Sequence, residues 1–190
     1  MWSQFPPIRR LLPLGLLAVF VLAGCEKRPL GETVDLYQAK ALCILPSTAV
    51  ADWTWDGQAD GLLVYVRAED NFHDPSKAPG DYLIELYSFR EASADRRGER
   101  IGFWLVRIDC KERQEEYWDP VTLAYRFQCS YVQPVAVGKK YVLTVTYNSP
   151  FRNRLFAQQV LDVRAKPGTK EPMIVNTNAV EWKNPLFGGR

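Results

Sequence analysis

The sequence predicts an all-β fold, an antiparallel two-sheet β-sandwich of about seven strands. Three observations carry that prediction. Apolar runs rich in β-branched and aromatic residues recur along the chain, several with strict period-two alternation. Turn signals such as Pro79-Gly80 separate them. No long segment carries a convincing 3.6-residue period. The composition agrees: of 190 residues, 47% are hydrophobic and 24% charged, which excludes a disordered chain, a collagen-like repeat and a multi-pass membrane protein. The length suits one domain of moderate size with a core of its own.

The first strand is read at residues 38–45 (QAKALCIL) and stops at Pro46, which has no N–H to donate to a ladder. Residues 61–68 (GLLVYVRA) form the second. Residues 81–90 (DYLIELYSFR) form the third, after the Pro-Gly turn, and residues 100–109 (RIGFWLVRID) the fourth. The polar stretch Cys110–Tyr117 is the best candidate for a short helix. In residues 124–132, Tyr125, Phe127, Cys129 and Tyr131 share one face. In 140–147, Tyr141, Leu143, Val145 and Tyr147 share a face opposite Val142, Thr144 and Thr146. In 155–163, Leu155, Ala157, Gln159, Leu161 and Val163 do the same. Such alternation turns one set to the core and the other to solvent or a sheet edge. The tail 166–190 is expected to be loosely attached, with Met173–Val175 as one further edge strand. Two sheets packed face to face follow from this count. A C2-like or transthyretin-like sandwich fits, and the Cys…Trp…Cys spacing of a true immunoglobulin domain is not evident.

The N-terminus reads as an address rather than as fold. A short polar stretch ends in Arg9 and Arg10, and an apolar run follows from Leu11 to Gly24. Fourteen helical residues rise only about 21 Å, too little to cross a bilayer. A basic flank, a short apolar run and small residues at its end are the parts of a secretory signal. The run closes in Leu22-Ala23-Gly24-Cys25, which resembles the bacterial lipobox. That resemblance implies cleavage after residue 24, a diacylglycerol on the Cys25 sulfur and often acylation of the new amine. It also implies a lipid-anchored protein of the cell envelope. Glu26, in place of an Asp, leans toward the outer membrane, with the domain facing the periplasm. The expected organisation is therefore a signal peptide at 1–24, a lipidated N-terminus and tether at 25–37, a sandwich at 38–165 and a tail at 166–190.

Removal of residues 1–24 takes away two Arg and no acid, leaving 22 basic against 22 acidic side chains. No net charge then favours nucleic acid or any acidic partner. Two or three acyl chains hold a protein on a membrane where one does not. A lipid tail on a sandwich is similar in outline, in architecture alone, to the outer-membrane lipoprotein of type VI secretion systems. The expected partners are the membrane, through the lipid, and another envelope protein or the cell wall.

Candidate chemistry is sparse. The chain has one His, His73, and no Gly-x-Ser-x-Gly elbow, phosphate loop or HExxH. No enzyme is expected, the remaining enzymatic alternative being a periplasmic hydrolase built on a carboxylate pair. Cysteine spacings of 18, 67 and 19 do not make a zinc site, and Cys43, Cys110 and Cys129 allow at most one disulfide. Asp52, Thr54, Asp56 and Asp60 place oxygens at positions 1, 3, 5 and 9 of an EF-hand-like rhythm, with Gly57 at 6. Position 12 is Leu63, so the bidentate Glu is missing. With Asp70 and Asp74 from the next loop, these acids form a candidate Ca²⁺ site, as in a Ca²⁺-dependent C2-like binding module, the alternative being ordinary Asp-Gly turns. Six Trp, nine Tyr and nine Phe are expected to serve packing; a carbohydrate platform would need several exposed rings on one face.

Overall fold

A computed structural model describes residues 35–54, 56, 59–130, 135–151, 153–165 and 172–175. Cys25, Gly57, Tyr131 and most of the tail lie outside the described residues. Among those described, the strands are β1 (Ala41–Ile44), β2 (Ala49–Ala51), β3 (Gly61–Glu69), β4 (Pro75–Ser76), β5 (Gly80–Phe89) and β6 (Arg97–Ile108). After helix α1 (Lys111–Tyr117) come β7 (Trp118–Asp119), β8 (Ala124–Ser130), β9 (Lys140–Asn148), β10 (Arg154–Ala165) and β11 (Pro172–Val175). The predicted strands and the short helix are all present. The three strands β2, β4 and β7 are additional, and each is three residues or fewer. Runs that short leave no periodicity to read. No helix among the described residues is long and apolar enough to cross a membrane.

All strand pairs are antiparallel. One sheet runs β1-β3-β8-β7, with β2 and β4 also on β3; the other runs β11-β10-β9-β5-β6. Val66 faces both Ile44 of β1 and Tyr125 of β8, so these strands flank β3 on opposite sides. Leu62 likewise faces both Val50 and Cys129, which puts β2 on the β1 side. Strands β1 and β2 are thus two halves of one edge strand, broken by the turn at Pro46-Ser47. In chain order the first sheet is A-B-E-D and the second, apart from the added edge strand β11, G-F-C-C′, the connectivity of immunoglobulin-type sandwiches. The finer C2-like or transthyretin-like expectation does not follow from this order. Tyr141, at the start of β9, accepts a hydrogen bond from the Ala136 N–H on its hydroxyl at 2.9 Å. That is the tyrosine corner of this architecture. Two residues on, where antibody domains carry a cysteine, Leu143 is fully buried.

The core lies between the sheets. Leu62, Val64 and Val66 of β3 and Phe127 and Cys129 of β8 meet Tyr82, Ile84 and Leu86 of β5, Leu143 and Val145 of β9, and Leu161 and Val163 of β10. In β8 the predicted alternation holds from Tyr125 on, with Arg126, Gln128 and Ser130 exposed, whereas Ala124, expected on their face, is buried. In β9 the second face is not solvated: Val142, Thr144 and Thr146 are buried as well. Position explains the difference. Strand β9 is the middle of five, and its outer residues are flanked in register by Tyr87, Glu85 and Leu83 of β5 and by Val160, Gln158 and Phe156 of β10. Side chains on both neighbours cover a small central one.

Aromatic hydroxyls tie one end of the sandwich together. Tyr125 Oη accepts the Ala78 N–H at 2.7 Å and donates to Gln114 Oε1 at 2.8 Å. Tyr82 donates to the Ala78 carbonyl and Tyr147 to that of Pro79. The β4–β5 loop and α1 are thereby pinned to the ring cluster of Tyr82, Tyr125, Phe127 and Tyr147. Burial raises the pKa of all three tyrosines, so they stay protonated donors.

Candidate functional site

The two acidic loops lie at opposite ends of β3. Its nine residues, at ~3.3 Å each, separate them by roughly 26–30 Å. The expectation that both loops close on one cation is therefore corrected: Asp70 and Asp74 cannot join Asp52, Asp56 and Asp60. Among the described residues no three His, Cys, Asp or Glu side chains gather closely enough to hold a metal ion.

The carboxylates are used locally instead. Asp60 Oδ2 accepts the N–H groups of Trp53 at 2.6 Å and Thr54 at 2.9 Å. Those bonds hold its pKa below the usual carboxylate range. The Asp60 N–H in turn donates to the Ala51 carbonyl at 2.9 Å, closing the loop at its neck. A side chain at Gly61 would strike the Cys129 carbonyl oxygen at 2.3 Å and the Trp53 ring at 2.4 Å. The glycine is where the Trp53 ring seats on the sheet. Asp70 works the same way at the other end. Its Oδ1 accepts the N–H groups of Phe72 at 2.8 Å and Asp74 at 3.2 Å, an Asx-type turn. That turn holds His73 at a φ of 64°. The His73 ring is exposed, with Nδ1 3.9 Å from Glu69 Oε2.

The three described cysteines are free. Cys129 is inside the core, and burial pushes its thiol up to about 12. Cys43 is half-buried on β1 opposite Arg67, and burial raises it too. Cys110 is exposed at the N-cap of α1.

The face with the most to offer a partner is the outer side of the second sheet, a site that sequence reasoning missed. Phe103 and Leu105 of β6 and Phe156 of β10 are 58%, 62% and 52% exposed. In register, Phe156, Thr146, Leu83 and Leu105 form one row and Gln158, Thr144, Glu85 and Phe103 the next. Guanidinium and ammonium groups lie over several rings. Arg100 is 5.0 Å from the Phe103 centroid, Arg97 lies over Tyr87 and Phe156, and Arg96 and Lys140 lie over Phe89. The exposed rings of Phe103 and Phe156 stand three strands apart, roughly 14 Å. They are not a continuous stacking platform for a sugar. At the Ile108 end of β6, an open depression of about 490 Å³ is bordered by Asp81, Arg107, Asp109, Asn148 and Ser149. The Arg107 Nε–Asp81 Oδ1 pair, 2.7 Å long, lies along it.

No family model, curated protein or solved structure matches the chain.

Proposed function

We propose that the chain is a lipid-anchored, non-enzymatic lipoprotein of a bacterial envelope whose β-sandwich serves as a binding or structural module. The observation that carries this reading is the apolar run ending in Leu22-Ala23-Gly24-Cys25. The fold is compatible with it. Strand β1 starts opposite Glu69, so the chain enters at the pole that also holds the Asp70–Asp74 turn and the β9–β10 connection. Residues 26–34 reach at most roughly 30 Å. That pole would face the membrane, and the Asp52–Asp60 loop and the β5–β6 hairpin would point away from it.

The test is membrane fractionation with radiolabelled palmitate. Wild type should partition with membranes and take up label. Cys25→Ser should take up none and leave the precursor uncut by the lipoprotein peptidase. An unlabelled, soluble wild type overturns the reading.

A further inference from the structure

Strand β6 ends its sheet. Among the described residues it pairs with β5 and with no strand on its other side. At twelve residues it is also long for an edge; its pairing with β5 shifts register twice between Arg97 and Gly102 and is regular from Gly102 to Ile108. Such an edge leaves alternate N–H and C=O groups open and is a template for another strand. Folded proteins usually guard it with Pro, lysines, an inward charge or a bulge, and the Arg97–Gly102 end of β6 has the last of these. Here the stretch Ile101–Ile108 (IGFWLVRI) has no Pro, no Lys and one Arg, with Phe103 and Leu105 exposed side by side on the outer face. Its inner side is closed: Trp104 packs against the core and donates Nε1–H to the Ser130 carbonyl of the other sheet at 3.0 Å. The open features are therefore the backbone edge and the outer row.

Each end of that row carries an arginine–carboxylate pair, with Glu99 and Asp109 exposed beside the two arginines in the chain. Arg100 pairs with Glu85 at 3.1 Å, but the arginine side chain is 52% exposed and the carboxylate 13%. Arg107 pairs with Asp81, with 64% exposure against 35%. Within each pair the guanidinium is the more exposed member. We infer that β6 is the docking edge for an extended segment of another protein, added as a strand. Its apolar residues would alternate to meet Phe103 and Leu105, and carboxylates would flank them to meet Arg100 and Arg107.

A second copy is the poorer occupant, an argument that rests on the anchored reading. Antiparallel pairing of β6 with itself would turn the partner's entry pole to the far end, about 40 Å away along twelve residues. Residues 26–34 cannot span that distance back to the same membrane. A parallel pair would not close by a two-fold axis.

A random decapeptide library selected against the purified full chain tests the edge. Enriched peptides should alternate apolar residues between Asp or Glu, and should slow hydrogen exchange at β6 amides. They should bind Phe103→Lys and Leu105→Lys at least tenfold more weakly; both positions are exposed, so melting temperature should stay within a few degrees. Peptides without acids, or bound equally by both variants, overturn the inference. So do β6 amides already protected in the free chain, which would mean that the chain itself or a second copy holds the edge. Peptides that protect another surface overturn the edge but keep the binding-module reading, whereas palmitate labelling judges the anchor alone.

Discussion

Strands β8 and β9 follow one another in the chain and carry similar alternating patterns, yet they end in different surroundings. Strand β8 turns Tyr125, Phe127 and Cys129 inward and leaves Arg126, Gln128 and Ser130 in water. Strand β9 buries both of its faces, including Thr144 and Thr146. It has a long neighbour on each side, β5 and β10, whereas β8 has β3 on one side and only the two-residue β7 on the other. Burial on an outer face thus follows the neighbouring strands together with the residues themselves, Val142, Thr144 and Thr146 against Arg126, Gln128 and Ser130. The same comparison extends to β6 at the rim of the sheet that holds β9. There, apolar residues of the kind covered on β9 stand open.

The largest effect expected is on the inner faces, which alkali should break first. The folded state holds the Tyr82, Tyr125 and Tyr147 protons above the ordinary value of 10.0, and the Cys129 proton up to about 12 from 9.0. Folded pKa values above unfolded ones mean stability that is complete below about pH 9. It is lost as pH rises toward and beyond 12, because the unfolded chain ionises first. Denaturant melts should show a falling midpoint across that window. Cys129→Ala should lower stability at neutral pH yet flatten the onset near pH 9. A midpoint independent of pH to 12 would contradict the buried placement of these groups.

A smaller effect separates the two outer faces. Val142→Ala on β9 removes two buried methyl groups and should cost about 1.5–3 kcal/mol. Gln128→Ala on β8 should stay within about 0.5 kcal/mol, as exposed substitutions do. Urea melts of both variants sharpen the comparison, and equal losses would erase it.

The smallest effect expected is that of calcium. Asp60 and Asp70 already accept two backbone N–H groups each, at opposite ends of β3. Millimolar Ca²⁺ and its chelator should leave the melting temperature unchanged, whereas a bound ion would raise it. Asp60→Ala should still lower the melting temperature, because two loop N–H groups lose their acceptor.

The sequence by itself determined the class of fold. Alternation at Tyr125–Cys129 and Tyr141–Tyr147, turn signals and the lack of a helical period depend on the residue-to-residue geometry of a pleated strand, which is local. It also located the short helix after Cys110 and the edge strand after residue 172. The tyrosine corner was within reach, as a tyrosine opening a strand a few residues after Gly138; the bond to Ala136 was not. Only the tertiary structure decided which strand is central and which is an edge, since that depends on pairings between residues far apart in the chain. It decided that Thr144 is covered and Phe103 is not. It also separated the two acidic loops, because the strand between them is a rigid spacer, and sequence proximity across an extended strand is distance in space.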